Sequence, residues 1–202
     1  MAMPEQPADA VRNHLRRSAE VAERVSSDAS FVAATVAIAE RIAVSLKSGG
    51  KVLIAGNGGS AADAQHIAAE LVGRFVNDRK ALAAIALTTD TSVLTAIGND
   101  YGFEKIFARQ IEALGLKGDM FIAISTSGQS KNILAALQAA KKRGLVNIGF
   151  TKAKKTPMHR LCDLVLPAPS DETALIQQLH ITAAHAICHL VERELFGGGA
   201  RS

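Results

Sequence analysis

The chain has 202 residues, 48% of them hydrophobic and 21% charged, a composition that supports one folded domain with a sizeable core. The net charge of +4 is mild, no basic run is interleaved with aromatics, and there is no Trp and a single Tyr, which argues against a nucleic-acid partner. Cys162 and Cys188 lie far apart with no CxxC, and neither a signal-peptide pattern nor an apolar run of about 20 residues stands out, so we read a cytoplasmic protein with free thiols and no membrane partner.

In chain order, residues 1–8, with Pro4 and Pro7, read as a loose, disordered end. Residues 9–48 contain no Gly or Pro and read as two helices broken near Ser26-Ser27-Asp28, with Ser27 or Asp28 as the cap of the second. Then the pattern alternates. Strands are expected at 52–55, 82–87, 119–125, 146–150 and 164–166, and helices at 61–75, 91–98, 104–113, 131–143 and 174–195, with a flexible tail at 197–202. Short apolar strands separated by helices imply a parallel sheet covered on both faces, an α/β sandwich whose ligands sit beyond the carboxyl ends of the strands. The long, Ala-rich terminal helices suit subunit packing as well as a core.

The most informative stretch is KVLIAGNGGSAADAQHIAAELVGRF, residues 51–75. An apolar strand meets the turn Gly56-Asn57-Gly58-Gly59-Ser60 and then a helix. Such a unit aims backbone N–H groups at an anion. The turn is neither a Walker A loop nor GxGxxG, so alone it also fits a tight strand-to-helix turn with no ligand. Inside the helix, His66 and Glu70 are i and i+4 and share a face, where they can bind metal or move protons.

A second loop, Ser125-Thr126-Ser127-Gly128-Gln129-Ser130, follows a strand and opens a helix. Ordinary capping needs one hydroxyl; four hydroxyls at a helix N-terminus suit phosphate oxygens. Lys131 adds charge there or is simply solvated. The final helix carries Gln177, His180, His185 and His189. Gln177 and His185 fall within about 80° of one another on its surface, and His185 and His189 are an i, i+4 pair with metal-ligand spacing. For His180 the plain expectation is packing near the site, for His189 a surface or interface position. Asp63 and Gln65 either line the cleft or face solvent.

Asn57-Gly58-Gly59-Ser60, His66-xxx-Glu70, LTTDTSVLTAIGND at 87–100, STSGQS at 125–130 and Ile176-Gln177…His185 occur in that order. Together they resemble the phosphoheptose isomerase (sedoheptulose 7-phosphate isomerase) family of SIS sugar isomerases, over residues 10 to 196. The serine loop is common to SIS proteins in general; HxxxE joined to the late Gln-x7-His is the more specific signature. The resemblance implies a flavodoxin-like three-layer αβα sandwich with a five-stranded parallel sheet, one SIS domain at 9–196, and a homotetramer with active sites between subunits. It implies conversion of D-sedoheptulose 7-phosphate, a phosphorylated seven-carbon sugar, into D-glycero-D-manno-heptose 7-phosphate, the first step towards nucleotide-activated heptose for lipopolysaccharide or other surface polysaccharide.

Carried over by position, the resemblance makes Glu70 the general base and His185 the general acid. It puts the phosphate on Ser125, Thr126, Ser127 and Ser130, other substrate contacts on Asn57, Gly58, Gly59, Ser60, Glu70, Asn99, Asp100 and Gln177, and one zinc ion per subunit on His66, Glu70, Gln177 and His185. Moving a carbonyl from C2 to C1 needs a proton taken from C1 and one returned to C2 through an enediol, work for a carboxylate and an imidazole. Zinc would polarise the carbonyl, but a Glu70 firmly bound to zinc is a poorer base, so its two roles compete.

The chain departs from the family pattern in three places. Gln178 stands where Glu is usual, Ala174 where an acidic residue often sits, and Gln129 where Asn is more frequent. These bear on which sugar is read and spare the proposed acid and base. The alternatives are an isomerase of a different phosphosugar and a non-catalytic SIS protein that binds the replication initiator DnaA. The latter kind lacks the Glu and the late His, and both are present here.

Overall fold

The computed structural model describes residues 6–197. Helix α1 (Pro7–Ser26) opens with Pro at its first position, where a missing N–H costs nothing, so Pro7 and Ala8 belong to the helix rather than to a loose end. The chain turns at Ser27, and the Asp28 carboxylate accepts from the N–H groups of Ser30 and Phe31 to start α2 (Ala29–Lys47). These bonds and one from the Ser30 hydroxyl hold the Asp28 carboxyl below the usual range.

Five strands follow: β1 (Val52–Gly56), β2 (Ala84–Ala86), β3 (Met120–Ile124), β4 (Val146–Lys152) and β5 (Leu164–Ala168). Between them lie α3 (Gly59–Val72), α4 (Thr91–Tyr101), α5 (Ala108–Leu114) and α6 (Lys131–Arg143), and α7 (Thr173–Phe196) closes the fold. All strand pairs are parallel and the order is β2-β1-β3-β4-β5. At the opposite end of the sheet from the loops at 57–60 and 125–130, the buried Asp119 carboxylate accepts from the Lys51 and Leu116 N–H groups and pairs with Lys51 Nζ at 2.6 Å, tying the starts of β1 and β3.

Every residue of β1 and β3 is buried, because both faces are covered. Val52, Ile54, Met120, Ile122 and Ile124 pack in one core with residues of α1, α2, α3 and α7; Leu53, Ala55, Phe121 and Ala123 pack in the other with residues of α5 and α6. The period of two along each strand thus produces the three layers. By length and apolarity α2 could cross a membrane, against the expectation that no run comes close. It is a core helix on one side, with Phe31, Ile38, Ala39 and Ile42 buried, and leaves Val32, Val36 and Val44 exposed on the other. Cys162 and Cys188 are unpaired, and burial pushes both thiols up to about 12.

Candidate active site

The strand order reverses between β1 and β3, the two strands whose carboxyl ends carry the glycine and serine loops. In sheets of this order the crevice at that reversal is where ligands bind. Gly56 is required by close approach: a Cβ there would lie 2.3 Å from the Ser60 carbonyl. Gly58 takes a positive φ (57°) and precedes the first turn of α3. Ser60 is buried, while Gly58 and Gly59 are exposed. The Gln177 amide lies against Gly59, where a Cβ would come within 2.5 Å of its Nε2.

In the serine loop, Gly128 has φ +63°, and a Cβ on it would meet the Thr156 hydroxyl at 2.2 Å and that of Thr151 at 2.8 Å. This turn draws the hydroxyls together. Ser125 Oγ stands 3.1 Å from Ser130 Oγ and 3.4 Å from Ser127 Oγ, and the N–H groups of Gly128 and Gln129 donate to Ser125 and Ser127. Ser130 is the N-cap residue of α6 but makes no capping bond with its side chain. The first turn of α6 therefore keeps donors for an anion. Thr126 is half-buried at the same turn. Lys131 points away as an exposed partner of Glu104.

The two loops are joined by a pair the sequence did not flag. Asn57 and Asn132 exchange side-chain amide bonds, 3.0 Å in one direction and 2.8 Å in the other, and Asn132 Oδ1 also accepts from the Ile133 N–H. Asn132 carries no motif; only the adjacency of β1 and β3 gives it this role.

Two and three turns into α3 a second cluster forms. His66 Nε2 lies 3.0 Å from Glu70 Oε1 and 3.2 Å from His185 Nε2, 119 residues away in sequence. Ligand atoms of the three side chains all lie within 4.8 Å of one another. Neutral tautomers cannot make both contacts hydrogen bonds. If His66 Nε2–H donates to the carboxylate, it has no lone pair for His185; if it accepts from His185, its lone pair faces the carboxylate. One cation satisfies all three groups: ligands about 2.0–2.1 Å from a tetrahedral zinc stand about 3.3 Å apart, close to the two separations at His66, while the three ligand atoms together span no more than 4.8 Å. The donor set of two imidazoles and a carboxylate leaves a coordination position open, as in catalytic zinc sites.

The Gln177 amide lies beside the first turn of α3, at Gly59, which precedes His66 by seven residues, about 10 Å of helix. The ring of His189 meets the edge of Phe75 at 6.4 Å. Phe75 stacks on His185, centroids 5.7 Å apart and planes at 28°. Asn99 and Asp100 fall in the last turn of α4, which runs three residues past its expected end, and bond to one another on the surface at 2.8 Å. Asp63 is half-buried with one carboxylate oxygen lacking a partner, and burial raises its pKa against the lowering effect of His66. Gln65 faces solvent and donates to Thr88. Near Ala174, Glu172 is held by both carboxylate oxygens on Arg17 at 2.7 and 2.8 Å, so it does not stand in for the missing acid.

Residues 14–152 match the SIS domain model. A phosphoheptose isomerase of Bradyrhizobium sp. strain BTAi1 is 57% identical over 187 residues, 93% of this chain and 94% of that protein. The chain belongs to the phosphoheptose isomerase family of SIS-domain proteins. Two solved members share its fold: the phosphoheptose isomerase GmhA of Neisseria gonorrhoeae (42% identity, TM-score 0.87, covering 93% of this chain and 99% of that one) and a phosphoheptose isomerase of Francisella tularensis (34%, 0.88, covering 94% and 100%).

Proposed function

We propose that this chain converts D-sedoheptulose 7-phosphate to D-glycero-D-manno-heptose 7-phosphate, supplying aldoheptose phosphate for nucleotide-activated heptose and surface polysaccharide. The observation that carries the reading is the convergence of Glu70 and His185, from two helices, in a chain that also holds a four-hydroxyl loop at a helix N-terminus. The phosphate binds Ser125, Thr126, Ser127, Ser130 and the first N–H groups of α6. Asn57, Gly58, Gly59, Ser60, Asn99, Asp100 and Gln177 take the sugar hydroxyls. In a heptulose 7-phosphate the carbonyl is five carbons from the phosphate-bearing carbon. A long substrate suits a carbonyl subsite two to three turns along α3 from its N-terminal glycines.

Glu70 removes a proton from C1; that C–H pair becomes the C1–C2 double bond, and the ketone oxygen takes a proton from the His185 imidazolium. The neutral imidazole then accepts the O1 proton, C1 becomes the aldehyde, and the carboxylic acid returns a proton to C2. His66, Glu70 and His185 would hold a zinc ion, with Gln177 as a fourth ligand only if its amide moves, and the ion would polarise the sugar carbonyl. A non-catalytic, DnaA-binding role has no use for this base and acid. Isomerisation of another phosphosugar is decided by the substrate panel below.

The enzyme is proposed to be a homotetramer with sites between subunits, in the cytoplasm. Supporting this are apolar faces that the monomer leaves open: Val11 and Leu15, 59% and 62% exposed on the first half of α1, and Val32, Val36 and Val44 on α2. The test is to incubate the protein with sedoheptulose 7-phosphate and with five- and six-carbon ketose phosphates, and to follow aldose phosphate by NMR. Turnover of the heptulose alone, lowered by about 10²-fold or more in Glu70→Gln and in His185→Gln, is expected. Unchanged activity in Glu70→Gln would sink the base assignment.

A further inference from the structure

Arg79 and Glu192 form the most deeply buried ion pair among the described residues, with side chains 3% and 1% exposed and Nε 3.2 Å from Oε2. The rest of the guanidinium caps the end of α3: Nη2 donates to the Glu70 carbonyl at 2.8 Å, and Nη1 lies 2.8 Å from the carbonyl of Leu71, 3.0 Å from that of Gly73 and 3.1 Å from that of Lys80. A cation at these carbonyls is well placed against the helix dipole. Glu192 gathers three consecutive backbone N–H groups, of Phe75, Val76 and Asn77, and the Asn77 amide, at 2.7–3.2 Å. Burial alone would raise its pKa; these donors and Arg79 outweigh that and lower it.

The bonds run to the two groups that do the chemistry. Arg79 holds the backbone of Glu70. Glu192 wraps the chain at Phe75, whose ring stacks on His185, and Glu192 itself lies seven residues beyond His185 on the same face of α7. A buried ion pair is a poor way to gain stability, since apolar side chains of like volume commonly do as well or better. What it supplies is fixed direction: a planar fork on four carbonyls and a carboxylate on three N–H groups.

We propose that Arg79, Glu192 and Phe75 are positioning residues that set the Glu70 carboxylate and the His185 ring against one another. The inference rests on the assignment of Glu70 and His185 as base and acid. A role confined to anchoring the segment after α3 predicts loss of fold and nothing more. A positioning role predicts loss of turnover in protein that remains folded and still binds the sugar phosphate through its serine loop.

The experiment compares Arg79→Lys, Glu192→Gln, Phe75→Leu and the apolar double variant Arg79→Met/Glu192→Leu with the wild type. For each, kcat and KM for sedoheptulose 7-phosphate are measured per folded protein, and the NOE between the Phe75 and His185 ring protons is recorded wherever both rings are present. We expect kcat to fall about tenfold or more in all four, with KM changed less than about threefold. The NOE should weaken in Arg79→Lys, Glu192→Gln and the double variant. Lys keeps the charge but not the fork, so it should not rescue. The double variant and Phe75→Leu keep the test open if a single charge removal unfolds the chain. Wild-type kcat in the folded variants, or an NOE of full strength in the variants of the pair, overturns the proposal. A wild type that binds the heptulose phosphate without isomerising it refutes the acid and base assignment instead. The NOE requires no turnover, so the two failures are told apart.

Discussion

His66 Nε2 faces a carboxylate and a second imidazole with one hydrogen-bonding position to offer, and that conflict at a single atom is what marks the triad as more than a surface cluster. The spacing of His66 and Glu70 was legible because helical periodicity fixes which residues share a face. The approach of His185 was not given by spacing; it needs α3 packed beside α7, and the family resemblance supplied it. Asn132, Arg79 and Glu192 had no signal at all, since nothing in their neighbourhoods of sequence says which backbone groups they will meet. His180 was expected merely to pack near the site. It is fully buried against Phe150 with both ring nitrogens shut off from solvent, and burial lowers its pKa to about 4 against the raising effect of the Thr151 backbone. The folded-state value lies below the ordinary 6.5, so the unfolded chain takes up the proton first as pH falls. Stability present above pH 6.5 is then lost down to about pH 4, by about 2 kcal/mol at pH 5. Urea unfolding at pH 7 and pH 5 should show this loss, and His180→Leu should flatten it. Glu192, a carboxylate with a lowered pKa, sheds stability only below its ordinary 4.5; His159, whose pKa burial also lowers, shares the window above pH 5, and the difference between wild type and His180→Leu gives the part due to His180.

At the scale of elements, both strand-to-helix turns were readable from glycine and hydroxyl content, and α6 runs over the expected residues with its end at left-handed Gly144. Boundaries moved where tertiary contacts extend an element. β4 continues to Lys152 because β5 pairs with it as far as Ala168, and α4 continues to Tyr101, where Gly102 at φ +84° stops it. β2 is shorter than the apolar run suggested, pairing with β1 only over Ala84–Ala86. The serine loop depends on Gly128 for both its sign of φ and its clearance. Gly128→Ala should therefore cost about 2 kcal/mol or more in thermal or urea unfolding. In the folded fraction, KM for the sugar phosphate should rise more than kcat falls, since the loop is proposed to hold phosphate and not the reacting carbons. A variant with wild-type stability and KM would mean that the loop tolerates a side chain, against the contacts with Thr151 and Thr156.

For the whole molecule, alternation of strand and helix was enough to announce a covered parallel sheet, while the order β2-β1-β3-β4-β5 and the crevice between β1 and β3 came from pairing that no local pattern encodes. Assembly belongs to this scale too. Sedimentation equilibrium should give about four times the 21.2 kDa chain mass, and Val36→Asp on the open face of α2 should shift it towards smaller species. A monomer at micromolar concentration would rule out sites shared between subunits. The central claim is that Glu70 moves a carbon-bound proton, and it is tested most directly by running the reaction in D2O and reading the heptose phosphate by NMR. The account predicts, in the wild type, deuterium at C2 of the aldose in those turnovers in which the Glu70 carboxyl exchanges its proton with solvent, and neither product nor deuterium exchange into the ketose with Glu70→Gln. Product formation or deuterium exchange undiminished in Glu70→Gln would contradict it.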